Sequence, residues 1–398
     1  MTQGRPLTNK GPGNEAPRSA RDEGVEDLTQ SKSSWAEYVQ AKLGFRNYWY
    51  PALFSHELEG DTPKAVRLLG ENVLLRRVDG KPRAVVDQCL HRGVRFSRKP
   101  ECYTPDTITC WYHGFTYSFL DGKLVEILTE PGSKLCGKLA LKTYPVVEAK
   151  GIIFVFIGDR EPPALADDVP PGFLDEDMAV QGIRDEVKTN WRVGAENGFD
   201  TTHIYIHRDS PLIGGNKLML PVGLVPTDKS GIVPLADGEP KGVLDRMAQT
   251  YRPIFESSIR GEKVLQSLGA KGEKMVAGEL SIWMPGVLKV DPFPDPSIIQ
   301  FEWYVPVDVD MHVYWRVLGR RVSSPDEAEG FRIEFHSLWK NLALHGFNDS
   351  DIWAREGLQE FYKDDDAWSK EHLFKPDACI VEWRKLASRY NRGIQPVR

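Results

Sequence analysis

The stretch CLHRGVRFSRKPECYTPDTITCWYH occupies residues 89–113. It opens with Cys89-x-His91 and closes with Cys110-x-x-His113, so each pair joins one thiolate donor to one imidazole. Zinc accepts two cysteines and two histidines tetrahedrally, but zinc fingers place the cysteines in one pair and the histidines in the other. The mixed pairing suits a centre of two metal ions, one held by both cysteines and the other by both histidines. Each loop then sends one ligand to each ion. Gly93 and Gly114 directly follow the two ligand pairs, as tight loops around such a centre favour.

That ligand arrangement is the Rieske type of 2Fe–2S centre, in which imidazole replaces thiolate on one iron and raises the reduction potential. Its surroundings read as β structure. The runs RAVVDQC, TITCWY, FTYSF and GIIFVFIG are short and rich in β-branched and aromatic residues. Asp79-Gly80 and Asp121-Gly122 have the composition of hairpin turns. An all-β domain is therefore expected over 45–158. Respiratory-chain Rieske proteins carry an extra cysteine in each ligand loop; Val94 and Tyr112 stand there instead, which points to the soluble, oxygenase type. Cys102, Cys136 and Cys379 read as ordinary thiols.

Outward from this unit, residues 1–34 are rich in Gly, Pro and charge and are expected to be a disordered extension. A short helix is expected over 35–44, capped by Ser34 and packed on the second domain. A Pro- and acid-rich connector, GDREPPALADDVPPGFLDED (158–177), marks the boundary to a domain over 159–392. There ELSIWMPGVLKV, IIQFEWYVPV and MHVYWRVLG read as long antiparallel strands. ENGFDTTHIYIHRDS reads as a helix. Ser324, Pro325 and Glu327 form a capping box that opens a helix toward Leu344. Two more helices are expected near 350–363 and 377–390, and 209–278 is loop-rich. The fold class is α+β: an all-β cluster domain plus a large antiparallel sheet flanked by helices.

The helix reading puts His203 and His207, four residues apart, on one face with Asp200. Two imidazoles and one carboxylate make the facial triad of mononuclear non-haem Fe(II) oxygenases, with positions left open for dioxygen and substrate. Asp200 is either a ligand or the carboxylate that accepts the second N–H of a metal-bound imidazole. In the latter case the ligand comes from GFNDSDIWAREGLQEFY (346–362), with Asp351 the first choice and Asp349 the second. Acidic residues at a helix start also occur there for the dipole alone.

Composition excludes other classes. The 398 residues carry a formal net charge of −6, against the basic excess of a nucleic-acid binder. No apolar run reaches membrane length and no signal-peptide core is present, so no membrane association and a cytoplasmic location are expected. The five cysteines are too few and scattered for a disulfide framework.

Taken together, KLGFRNYWYP, CLHRGVRFS, TITCWYH, NGFDTTHIYIH, FEWYVP and DIWARE resemble the α subunits of Rieske non-haem iron ring-hydroxylating oxygenases, from Trp35 to Arg392. The resemblance implies that Cys89, His91, Cys110 and His113 hold the cluster, that His203, His207 and Asp351 hold Fe(II), and that Asp200 bridges the two centres. It implies a head-to-tail homotrimer of one subunit type, in which His91 or His113 of one copy meets Asp200 of the next. A ferredoxin and, through it, an NADH-dependent reductase would supply electrons, since no nicotinamide- or flavin-binding fingerprint stands out in this chain. The expected reaction uses dioxygen to dihydroxylate a tricyclic (hetero)aromatic of the carbazole kind at the angular position; an O-demethylase-type monooxygenase is the alternative. A plain electron carrier or zinc-stabilised binding module would not need the second metal site. Candidate pocket walls are Gly198, Phe199, Leu280, Ile282, Met284, Leu288, Val290, Phe293, Phe347 and Asn348, apolar as a neutral flat ring requires. Arg92, Arg95, Arg98 and Lys99 beside the cluster loops are candidates for docking an acidic ferredoxin.

Overall fold

In the small β unit the chain reverses where the sequence anticipates it. Asp79 and Gly80 take φ of 50° and 73°, the pair of left-handed residues that a two-residue turn matching strand twist demands. They join Glu71–Val78 to Lys81–Val86, with Val78 opposite Lys81. Gly122 likewise closes the hairpin between Phe115–Ser118 and Leu124–Ile127, its N–H donating to Ser118 O at 2.9 Å. The computed structural model describes residues 32–200, 202–207, 209–212, 218–219, 233–235, 240–246, 254–259, 262–267, 274–275, 279–364, 366–374 and 377–397. The extension at 1–31 and most of 209–278 lie outside the described residues.

Three small sheets make the β unit. A four-stranded sheet runs Lys64–Leu68, Glu71–Val78, Lys81–Val86, Thr143–Tyr144. A three-stranded sheet of Thr107–Thr109, Phe115–Ser118 and Leu124–Ile127 carries the second ligand loop. Around the loops Leu74, Val85, Phe96, Ile108, Tyr117 and Leu124 form a compact apolar core of their own. The third sheet pairs Tyr48–Phe54 with Ile152–Ile157 and Val146–Ala149. Its side chains are buried in the larger core that continues into the rest of the chain. Phe54 packs on Trp315 at 4.6 Å and Phe154 on Trp303 at 6.4 Å between ring centroids.

The larger part is built on a seven-stranded, wholly antiparallel sheet. Its order is Met178–Val187, His312–Arg321, Ile298–Pro306, Val287–Asp291, Glu279–Trp283, Gly242–Arg246, Val233–Leu235. Helix Trp191–Phe199 lies against it with its backbone unusually close. A Cβ on Gly194 would stand 2.8 Å from His312 Nε2, and one on Gly198 would stand 1.8 Å from the Tyr304 hydroxyl. These two glycines, four apart on one helix face, are what allow the approach. From the other side, Arg384 of helix Ala378–Tyr390 grips the helix through Glu196, at 2.8 and 2.7 Å, and pairs with Glu371 as well. The short helix Ala36–Gln40 covers this region, Tyr38 N–H donating to Ser388 Oγ and Trp191 Nε1 to Ala41 O.

Three expectations change. The helix that starts at Trp191 stops at Phe199, and His203–His207 form a separate 3₁₀ segment. Asp200 breaks the helix because its carboxylate accepts from Thr202 N–H and Oγ1, both at 2.7 Å, and so competes with the helical bonds. The helix Pro325–Glu334, capped by Ser324 Oγ on Glu327 N–H, widens into a π-helix over Phe335–His345. Ser34 is not the N-cap of the first helix; it lies within the 3₁₀ turn Lys32–Trp35, and Trp35 holds the N-cap position without a side-chain cap.

Arg384 is a buried cation between two carboxylates, so its removal leaves both unpaired. Arg384→Ala is expected to lower the unfolding free energy by about 3–5 kcal/mol, read from urea melts followed by tryptophan fluorescence. Arg332→Ala, which cuts an exposed pair with Glu329, should leave the midpoint in place.

Candidate metal centres and active site

The two ligand loops of the β unit are built alike. Cys89 N–H donates to Val94 O and Gly93 N–H to Cys89 O, at 2.8 and 2.9 Å; Cys110 N–H donates to Phe115 O and Gly114 N–H to Cys110 O at the same two distances. Gly93 and Gly114 have φ of 74° and 71°. A side chain on Gly114 would meet Leu128 Cβ at 2.8 Å. Cys89 and Cys110 are buried, unpaired as a disulfide, and Tyr117 OH lies 3.6 Å from Cys89 Sγ. The imidazoles of His91 and His113 sit outside them, 4.6 Å apart between centroids, His91 stacked on Phe115. The buried Nδ1 of His113 has no hydrogen-bond partner among the described residues. No three of these four ligands bring donor atoms within 4.8 Å of one another, whereas His203, His207 and Asp351 do. The two sulfurs lie inside and the two imidazoles outside, the division that a two-iron cluster of this type requires.

Arg92, Arg95, Arg98 and Lys99 are all exposed beside the histidine edge, with Lys99 paired to Glu101 at 3.0 Å. Leu90, Trp111 and Tyr112 are exposed around the same edge.

The second centre gathers one helix start and the 3₁₀ turn. Asp351 Oδ1 lies 3.3 Å from His203 Nε2 and 3.3 Å from His207 Nε2. His207 Nδ1 faces Ser350 Oγ at 2.8 Å, and that hydroxyl donates to Phe347 O at 2.8 Å. The hydroxyl proton is thus committed, so His207 Nδ1 is the donor. His203 Nδ1 donates to Asp200 O. Both Nε2 lone pairs therefore point at a carboxylate oxygen, and His207 Nε2 and Asp351 Oδ1 are buried without a hydrogen bond. Burial opposes charge on Asp351, but the imidazoles of His207 and His203, with Arg355, outweigh it and hold the carboxyl well below its ordinary range. Burial likewise opposes charging of His203, yet Asp351 and then Asp200 push it up to about 9. Three converging acceptors ask for a cation, and their chemistry fits Fe(II).

Asp349 is elsewhere. Two residues apart on a helix means about 200° of rotation, and Asp349 bonds Arg316 Nη1 at 2.7 Å instead. Asp200 serves His203 through its carbonyl rather than the expected carboxylate.

Above the triad opens a cavity that is partly open to solvent. The cavity lining includes Gly198, Leu280, Leu288, Val290, Phe293, Phe347 and Asn348 as expected from sequence, together with Asp200, Ile204, Gln300 and Glu302. Phe199, Ile282 and Met284 do not reach it. Phe199 and Ile282 are fully buried: Ile282 shares strand parity with Leu280 without bordering the cavity, and the Phe199 carbonyl accepts from Cys379 Sγ at 3.5 Å. Phe347 stacks on His207, centroids 3.7 Å apart. Gln300 and Glu302 belong to one polar chain: Asn348 Nδ2 donates to Asp351 Oδ2 at 3.3 Å, Gln300 Nε2 to Asn348 Oδ1 at 3.2 Å and to Glu302, and Tyr304 OH to Glu302. A signal for it stands in the strand sequence, since Gln300, Glu302 and Tyr304 alternate on one face of an otherwise apolar strand.

Comparison with known proteins agrees with this geometry. The family model described as homotrimeric ring hydroxylase matches residues 156–395, and that of the Rieske [2Fe-2S] domain matches 48–145. The carbazole 1,9a-dioxygenase terminal oxygenase component CarAa of Sphingomonas sp is 54% identical over 366 residues, 92% of this chain and 96% of the relative. This chain belongs to the Rieske-type homotrimeric ring hydroxylases. The solved terminal oxygenase of carbazole 1,9a-dioxygenase from Novosphingobium sp. KA1 superposes with a TM-score of 0.89 at 52% identity, covering 94% of this chain and all of that one. A reduced complex between oxygenase and ferredoxin in carbazole 1,9a-dioxygenase matches at a TM-score of 0.87 and 50% identity, over 95% of this chain and 97% of that one. The ring hydroxylase's cofactors are a Rieske 2Fe–2S cluster and a mononuclear iron. No helix among the described residues is long and apolar enough to cross a membrane.

The triad assignment separates neighbouring residues. Asp351→Ala is expected to lose the mononuclear iron on desalting while keeping the cluster's visible spectrum. Asp349→Ala should retain both. Ser350→Ala, which frees His207 to rotate, should weaken iron binding about tenfold, all read by metal analysis against chelator titration.

Proposed function

We propose that this chain is the terminal oxygenase of a multicomponent dioxygenase that dihydroxylates carbazole or a similar tricyclic (hetero)aromatic at the angular carbon. The observation that carries the reading is a buried His–His–Asp triad opening onto an apolar cavity, in a chain that also holds a Rieske unit. Cys89, Cys110, His91 and His113 hold the cluster in this reading, and His203, His207 and Asp351 hold the iron. When bound, that iron supplies activation of dioxygen next to the ring.

The remaining work belongs to the protein's own groups. Leu280, Leu288, Val290, Phe293 and Phe347 clasp a flat ring and exclude water from it. Gly198 is the penultimate residue of its helix, so its carbonyl is among those the helix leaves without an internal partner. It borders the cavity, where it accepts the ring N–H and turns the angular carbon toward the triad. Gln300 Oε1, buried with no partner among the described residues, is a second acceptor for the same donor. Asp200 borders both the cavity and an outer groove lined by Asp377, His372 and Arg384, a position suited to passing charge inward from a neighbouring subunit. Leu90, Trp111 and Tyr112 then become covered in the trimer, with His91 or His113 brought to Asp200 of the next copy. A ferredoxin fed by an NADH-dependent reductase docks on Arg92, Arg95, Arg98 and Lys99. The protein works in the cytoplasm, where NADH is regenerated and the three cysteines outside the cluster, Cys102, Cys136 and Cys379, stay reduced.

Carbazole supplied with ¹⁸O₂, ferredoxin, reductase and NADH should yield a product with both labelled oxygens on adjacent carbons, shown by mass spectrometry. One labelled oxygen identifies a monooxygenase instead. Reversing Arg95 and Arg98 to Glu should raise the KM for ferredoxin, and more steeply at low ionic strength; an unchanged KM removes those residues from the docking face.

A further inference from the structure

Glu302 is a buried carboxylate on the wall of a cavity otherwise suited to a neutral ring. Removing an ionisable group from water in such a place is costly unless it is paired, and the pairing here is indirect. Gln300 and Tyr304 donate to it, while the nearest cation, Arg355 Nη2, lies 4.0 Å away. Arg355 is fully buried, stacked over Tyr314 and Tyr304 at 4.1 and 5.0 Å, with its Nε donating to Asn197 Oδ1 at 2.6 Å. Its two terminal nitrogens, the Tyr314 hydroxyl and His312 Nε2 have no hydrogen-bond partner among the described residues. His312 donates through Nδ1 to Thr189 O, and burial, then Arg355, lowers its pKa to about 3. It is a neutral ring whose Nε2 accepts. Two donor ends, a hydroxyl and an acceptor that cluster without touching are the usual setting of buried water.

The reaction needs protons at this wall. Dihydroxylation consumes one dioxygen, two electrons and two protons per ring, and the electrons come from ferredoxin through the cluster. Of the titratable groups that border the cavity, His203, His207 and Asp351 are committed as ligands, and Asp200 is held at the groove side by Thr202. Glu302 remains. We propose that Glu302 is the proton carrier of the site, giving a proton to each oxygen that has bonded to a ring carbon and being recharged through the Tyr304 hydroxyl and water held by Arg355, Tyr314 and His312. In each transfer an O–H bond of Glu302 breaks as the product O–H forms. The carboxylate then takes the Tyr304 proton while the Tyr304 oxygen takes one from the adjoining water in the same step, and that water is reprotonated from solvent, so neither phenolate nor hydroxide is left in the wall. Asn197, which touches Arg355 and also lines the outer groove, marks the side from which solvent supplies it. The charged and titratable groups around Glu302 are Arg355 and Asp351 of the helix, Arg316, Tyr314 and His312 of the adjoining strand, and Tyr304 of its own.

This relay rests on the dioxygenase reading, and the test separates the two. Wild type, E302Q, E302D and Y304F are compared as complete enzymes with ferredoxin, reductase and carbazole. Carbazole affinity of the iron-free proteins, by fluorescence titration, should be the same for wild type and E302Q, which shows an intact pocket. Diol formation by E302Q should fall about a hundredfold, with NADH consumption diverted to hydrogen peroxide. E302D should recover part of the rate, and Y304F should show an enlarged solvent deuterium isotope effect. An E302Q enzyme with wild-type rate, coupling and isotope effect overturns the relay alone. Wild type that forms no diol overturns the dioxygenase reading, and the relay with it.

Discussion

Two imidazole lone pairs and one carboxylate oxygen aimed at the same buried point cannot be left to themselves. Each is an acceptor, and His207 Nε2 and Asp351 Oδ1 are buried with no donor among the described residues. Protonating His203 would relieve part of the conflict, as its raised pKa shows, but a divalent cation relieves all of it at once. The surrounding structure can be understood as what keeps the three atoms together without that cation. Ser350 fixes one ring, the Asp200 carbonyl the other, and Asn348 holds the second oxygen of Asp351.

Those supports depend in turn on how closely one helix approaches one sheet. Gly194 and Gly198 strip a face of helix Trp191–Phe199 so that Tyr304 reaches its backbone, and Arg384 closes it from behind through Glu196. The end of the helix is thereby set over Leu288 and Tyr304. The turn that follows starts from a fixed point, which makes the position of His203 and His207 a consequence of packing rather than of local loop preference. On the opposite side, the wide turn into Gly346, with its N–H donating to Asn341 O at 2.8 Å, brings Phe347 onto His207 and starts the helix that carries Asp351.

How much of this was legible in the sequence varies with the range of the interaction. Chemistry at fixed short spacing was readable: the alternation of Cys and His at 89–113, and the glycines behind each pair, need only local geometry. The histidine pair was readable as a pair but not as a conformation. A spacing of four implies one face of an α-helix, whereas on a 3₁₀ turn it rotates the second residue by about 120°. The two rings consequently meet at 84° and converge on Asp351 from different sides. Strand alternation found Leu280, Leu288 and Val290, and it also named Ile282, because parity specifies the face and not the depth. Glu302 and Gln300 were missed because hydropathy treats a polar residue in an apolar strand as an interruption, and their partners lie on other elements. The role of Gly198 as a site of backbone contact depends on Tyr304, more than a hundred residues away.

The cluster loops impose a last geometric consequence. Their cysteines face the protein core and their histidines face outward, so only one edge of the centre lies near the surface. In the proposed trimer that edge must lie against the next subunit's Asp200, and the exposed Leu90, Trp111 and Tyr112 around it suit burial between copies. A ferredoxin cannot occupy the same spot at the same time. In the proposed assembly it approaches from the flank that Arg92, Arg95 and Arg98 offer. In that proposal charge on the flank and apolar surface at the edge divide the labour, since a partner that binds and leaves in every cycle is better served by steering than by a large buried apolar area.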